Sequence, residues 1–119
     1  MHGETLSVSC SVLNDGQLVT NADNWLKDLV PKIQASAAYQ QGGVIFILWD
    51  EGDESIGRPA SDGPIGLIAL SPYAKQGYSN SVAYTHSSTL RTVQTIFGVP
   101  LLRDAQNATD LRDLFTQFP

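Results

Sequence analysis

Six consecutive apolar residues, Val44-Ile-Phe-Ile-Leu-Trp49, run without a break into Asp50-Glu51-Gly52-Asp53-Glu54. An apolar run of this length that does not alternate with polar residues, and that is rich in β-branched and aromatic side chains, predicts a strand covered on both faces, as in a parallel α/β sheet. Ligands of open α/β sheets bind beyond the carboxyl ends of strands, so carboxylates fixed at this junction are placed to hold a hard cation. The same cluster also suits a solvated turn that ends a strand and blocks edge pairing, with Gly52 at the bend. The residues alone leave both readings open. A calcium loop of the EF-hand type is disfavoured, because the alternating oxygen ligands, central glycine and distal glutamate are not spaced for it.

With 119 residues, of which 42% are hydrophobic and 16% charged, the chain predicts one small globular domain over residues 1–119. The net charge of −5 and the scattered Lys and Arg residues oppose a phosphate backbone, which argues against nucleic-acid binding. A single cysteine, Cys10, allows no intrachain disulfide and offers no metal-ligand spacing. No run approaches membrane-spanning length, and Met1-His2-Gly3-Glu4 lacks the basic and apolar regions of a signal peptide.

Residues 1–20 read as irregular or hairpin-like, with Asn14-Asp15-Gly16 as a turn. Asn21 or Asp23 caps an expected helix in which Trp25, Leu26, Leu29, Val30 and Ile33 recur at helical spacing, and that spacing assigns Trp25 to the core. Pro31 is expected to split this run into two helices, the second ending before Gly42-Gly43. Residues 65–70 predict a second buried strand, separated from the first by a loop too rich in Gly and Pro for a crossover helix. A polar, aromatic loop with Lys75, Tyr78 and Tyr84 then leads into a helix opened by His86-Ser87-Ser88. That helix carries Leu90, Val93, Ile96 and Phe97, and Gly98 caps it. A last short helix is expected over about residues 109–115, with Thr109 as its cap.

His86, ahead of a helix start, suits either a loop hydrogen bond or a role as metal ligand or proton shuttle. The chain has no G-x-S-x-G elbow, Walker loop, dinucleotide glycine fingerprint or H-E-x-x-H pair. Read from its residues alone, it is an α/β domain with a candidate cation site.

An ordered series of segments carries the reading further. It comprises Asp23-x-Trp25-Leu26 with Val30-Pro31-x-Ile33, then residues 45–52, Ile-Phe-Ile-Leu-Trp-Asp-Glu-Gly, and residues 66–72, Gly-Leu-Ile-Ala-Leu-Ser-Pro. It closes with residues 84–91, Tyr-Thr-His-Ser-Ser-Thr-Leu-Arg, and 97–102, Phe-Gly-Val-Pro-Leu-Leu. Across residues 21–115 this series resembles the C-terminal part of the phosphoesterase family that groups bacterial phospholipases C with acid phosphatases, within the alkaline phosphatase superfamily. The resemblance implies a partial three-layer α/β sheet with helices, as the C-terminal portion of a larger alkaline phosphatase-like domain. It implies metal-dependent hydrolysis of a phosphate ester, with Asp50 and Glu51 as ligands of a divalent ion whose identity stays open, and it assigns His86 to a recurrent motif of the family. Met1-His2 resembles the end of the family's Asn-Asp-Met-His stretch, which makes His2 a further candidate catalytic histidine. The family's hydroxyl nucleophile and remaining ligands belong to an N-terminal portion without a counterpart here. The expectation is therefore a chain missing its N-terminal half, or one that self-associates. A rival reading is a non-catalytic cation-binding or interaction module of receiver-like type, which also holds magnesium on paired carboxylates at a strand end but requires five parallel strands.

Overall fold

The computed structural model describes residues 15–50 and 64–118. Chain contacts divide the protein into two compact units, residues 1–37 and 38–119, which are considered separately.

In the first unit, α1 spans Asp15–Gln34 as one helix. It begins well before Asn21 and runs through Pro31, so neither the expected cap nor the expected break at proline is correct. Proline removes its own N–H bond to the carbonyl four residues earlier, yet its carbonyl remains available, and the amide of Ala35 donates to it at 3.0 Å. The helix stops one turn later, where the amide of Ser36 takes the tighter three-residue bond to Ile33. Trp25 is 55% exposed, against its assignment to the core. Helical periodicity identifies a face that would gain from burial; it does not supply the surface that buries it.

The single turn α2 (Ala37–Gln40) begins on the last residue of the first unit and opens the second. The amides of Gly42 and Gly43 return to Tyr39 and Ala38, and Gly42 sits at φ +104° against the Tyr73 ring, a conformation and a contact that exclude a side chain. Strands β1 (Ile45–Leu48) and β2 (Leu67–Leu70) then pair antiparallel, with Ile45 opposite Leu70 and Leu48 opposite Leu67. The amide of Trp49 extends the ladder to the carbonyl of Gly66 at 3.0 Å. The parallel arrangement expected from the apolar run is thus corrected. Without a crossover helix between them, two neighbouring strands are free to run antiparallel. The receiver-like reading also loses its basis, since the described strands number two and neither is parallel to the other.

Alternation puts Phe46, Leu48, Leu67 and Ala69 on one sheet face and Ile45, Ile47, Ile68 and Leu70 on the other. The first face is covered by the C-terminal segment: Phe46 meets Phe115 edge to face at 6.3 Å, and Phe115 meets Phe118 in the same way at 6.5 Å. On the second face Ile68 is 43% exposed, so β2 is not buried on both sides. An Ala74–Phe115 bridge, with the amide of Lys75 on Leu114 and that of Thr116 on Tyr73, straps the chain end to the segment after β2.

Helix α3 (His86–Ile96) starts and stops where its sequence predicts. Thr85 and Ser88 form a capping box, the amide of Thr85 donating to Ser88 Oγ at 3.1 Å. At the other end Gly98 takes φ +62°, its amide reaches Thr95 and the amide of Val99 reaches Gln94, a Schellman motif.

The face that α3 buries is the unexpected one. Ser88, Thr92 and Gln94 are buried, whereas Leu90, Val93 and Phe97 are exposed. The buried polar groups are all spent on backbone. Thr92 Oγ1 donates to the Ser88 carbonyl and accepts the Leu111 amide, each at 2.8 Å, and Gln94 donates to the Pro100 carbonyl and accepts the Leu102 amide. Arg91 adds two bonds to the carbonyls of Ala105 and Gln106, at the end of the 3₁₀ turn Arg103–Gln106. The C-terminal segment therefore packs on α3 through hydrogen bonds, around the small core of Ala105, Leu111 and Phe115.

The final helix expected over residues 109–115 is reduced to the 3₁₀ turn Arg112–Leu114. The amides of Leu114 and Phe115 take the tighter three-residue bonds to Leu111 and Arg112, and Phe115 then leaves the turn to bridge Ala74, so no four-residue ladder is built.

Candidate functional site

The acidic junction and the start of α3 meet. Asp50 lies just beyond β1, after Trp49, whose amide bonds the Gly66 carbonyl, and His86 is the first residue of α3, next to the Thr85 and Ser88 cap. His86 Nε2 lies 2.8 Å from the backbone carbonyl oxygen of Asp50. A carbonyl only accepts, so Nε2 carries the proton, and in the neutral ring the lone pair resides on Nδ1. Asp50 and His86 are both exposed. Glu51 and His2, the other two residues that the sequence nominates, lie outside the described residues. Among the described residues no group of three or more His, Cys, Asp or Glu side chains gathers as a metal cage would require. An imidazole and a carboxylate are donor types suited to a borderline divalent cation, but the contact between His86 and Asp50 runs through the Asp50 backbone carbonyl.

A second polar cluster, which the sequence does not reveal, is centred on Asp113. Asp113, in the Arg112–Leu114 turn, accepts hydrogen bonds from the Tyr78 hydroxyl, from Asn80 Nδ2 at 2.9 Å and from Lys75 Nζ at 3.2 Å. Lys75 also lies 4.2 Å above the Tyr78 ring. Hydrogen bonding from Tyr78, then from Asn80 and Lys75, holds the Asp113 carboxyl below the usual carboxylate range, while the bond to Asp113 raises the Tyr78 hydroxyl above its ordinary value. Asn80 in turn donates to the Tyr84 hydroxyl at 3.1 Å and accepts the amide of Val82. The loop of residues 75–84 that delivers the chain to Thr85 and His86 is thereby anchored to a carboxylate more than thirty residues downstream. The polar and aromatic content of the loop was visible in the sequence, but no local signal tied Asp113 to it. A cavity of about 160 Å³ beside the cluster is lined by Leu67, Ala69, Ala74, Lys75, Tyr78 and Leu114.

None of the described helices is long and apolar enough to cross a membrane. No curated protein and no solved structure matches the chain significantly. The model of one protein family, the Phosphoesterase family, matches residues 14–100, a stretch that contains α1, both strands, the Asp50 junction and α3 with His86. A match over most of the chain establishes that the chain belongs to the Phosphoesterase family.

Proposed function

We propose that this chain contributes Asp50, Glu51 and His86 to a cation-dependent site that hydrolyses phosphoric esters, of the acid phosphatase or phospholipase C type, within an alkaline phosphatase-like fold. The observation that carries the reading is the contact between His86 Nε2 and the Asp50 carbonyl, which joins two family segments 36 residues apart in sequence. Phosphoric ester hydrolysis itself follows from the family.

The donor set suits a divalent ion. Asp50 and Glu51 would hold it, and what such an ion supplies when bound is polarisation of a phosphoryl oxygen and a lowered pKa for a coordinated hydroxyl. The net charge of −5 makes that charge inversion necessary, because an anionic ester otherwise meets a repulsive field. His86, with Nε2 donating to the Asp50 carbonyl, presents Nδ1 as the nitrogen able to accept a proton or join the ligand set. His2 belongs to the same proposal through the Met1-His2 match. No hydroxyl of this chain is assigned the part of nucleophile.

Calorimetric titration with manganese or zinc tests the reading. Saturable binding that disappears in the double variant Asp50→Asn/Glu51→Gln supports it, and equal binding by that variant sinks it.

A further inference from the structure

We propose that Asp113 is a positioning residue for His86, acting through Asn80 and the loop that leads into α3. The inference deepens the phosphoric ester reading and rests on it for the chemical meaning of His86.

The argument begins with how little else holds that loop. Between the Lys75 amide, bonded to Leu114, and the Thr85 amide, bonded to Ser88, no regular secondary structure forms. Most of residues 76–83 are exposed, so apolar burial does not fix their path. Side chains do. Asp113 gathers three donors from the loop, and these come from positions 75, 78 and 80, both arms of the bend at Gly77. One acceptor thus sets the relative position of both arms. The Arg112–Leu114 turn that carries Asp113 is itself fixed, since Leu111 and Phe115 on either side of it are buried.

Asn80 passes the constraint forward. Its Nδ2 donates to Asp113 and to the Tyr84 hydroxyl, and its Oδ1 closes a turn with the amide of Val82. Tyr84 is followed by Thr85, the capping residue, and then by His86. The capping box fixes where α3 begins; the Asp113 to Asn80 to Tyr84 chain fixes the direction from which the backbone enters it. An exposed imidazole has freedom about two side-chain torsions, so its bond to the Asp50 carbonyl is kept only while the backbone at His86 is held. Loss of Asp113 leaves the core of Ala105, Leu111 and Phe115 intact and releases the loop.

The test reads the imidazole and needs no metal and no activity. With His2→Gln as background, His86 is the sole histidine of the chain. Its ring is followed by proton–nitrogen correlation spectra of the full, nitrogen-15-labelled chain at mildly alkaline pH. Read through the couplings from the carbon-bound ring protons, the expected spectrum is that of a ring protonated on Nε2 alone, with the two nitrogen shifts widely separated. In Asp113→Ala and in Asn80→Ala the two nitrogen shifts move toward each other, while the Leu111 amide and the ring-shifted signals around Phe115 stay in place. Asn80→Ala leaves the bonds of Asp113 to Lys75 and Tyr78 untouched, so it decides the matter if Asp113→Ala does not fold. Nitrogen shifts that stay at their wild-type values in Asn80→Ala overturn the proposal, as does a wild-type ring protonated on Nδ1. Neither result depends on whether Asp50 and Glu51 bind a cation, so failure here and failure of the metal titration are distinguishable.

Discussion

Replacing Thr92 by Val tests the claim that α3 is held by hydrogen bonds on its buried face. Val preserves shape and removes only the hydroxyl, which donates to the Ser88 carbonyl and accepts the Leu111 amide, both at 2.8 Å. Thr92 and Leu111 are both at 0% exposure, so water cannot replace the lost acceptor. Stranding a buried amide costs about 1–3 kcal/mol, and the methyl group that replaces the hydroxyl returns roughly 0.8 kcal/mol at most. Loss of the bond to Ser88 adds about 0.5–1.5 kcal/mol. The net expectation is a destabilisation of about 1–3 kcal/mol, measured by urea denaturation of the full chain. Thr92→Ser keeps both bonds and loses one methyl, so it costs about 1 kcal/mol. Hydrogen exchange at the Leu111 amide separates the two effects. It should accelerate roughly tenfold to a hundredfold in Thr92→Val, a factor of ten for each 1.4 kcal/mol or so, and much less in Thr92→Ser. A Leu111 amide exchanging at the wild-type rate in Thr92→Val refutes the reasoning.

Phe97 is 74% exposed, so Phe97→Ser should change stability by no more than about 0.5 kcal/mol, where a core phenylalanine would cost several times that; a large drop in the urea midpoint contradicts the exposed face of α3. Gly42→Ala should destabilise more than Gly98→Ala, because both glycines have positive φ but only at Gly42 does a methyl group meet a ring, that of Tyr73; equal thermal shifts would show that contact to be yielding. The buried Asp110 carboxylate is held below the ordinary 3.8 first by its hydrogen bond from Arg112, whose Nη2 stands 2.8 Å from Oδ2. A carboxylate depressed in the folded state contributes stability that is complete above its unfolded value and is lost as pH falls through its folded one. Acid denaturation profiles of Asp110→Asn should therefore lie below wild type near neutrality and converge with it as pH falls through the depressed folded-state titration of Asp110; parallel profiles would remove Asp110 from the acid transition.

What sequence determined here is what neighbours in the chain decide. The limits of α3 follow from Thr85, Ser88 and Gly98, each acting on amides and carbonyls within five residues, so capping chemistry specifies them without reference to the rest of the molecule. Both strands were legible as apolar runs bounded by glycine and proline, and the family was legible because its segments recur in order. Periodicity, however, records which side chains would gain from leaving water and not which ones find a partner. Trp25 on α1, and Leu90, Val93 and Phe97 on α3, have the spacing of a core and are exposed, while the polar Thr92 and Gln94 are buried where backbone groups of the C-terminal segment come to meet them. The direction of β2 belongs to the pairing of two segments rather than to either one. The approach of His86 to Asp50 and the grip of Asp113 on the loop before α3 are separated by 36 and by 33 to 38 residues. Contacts at that range have no periodic signature in a single sequence, since their energy depends on where the intervening chain brings the two ends, and only the folded structure decides that.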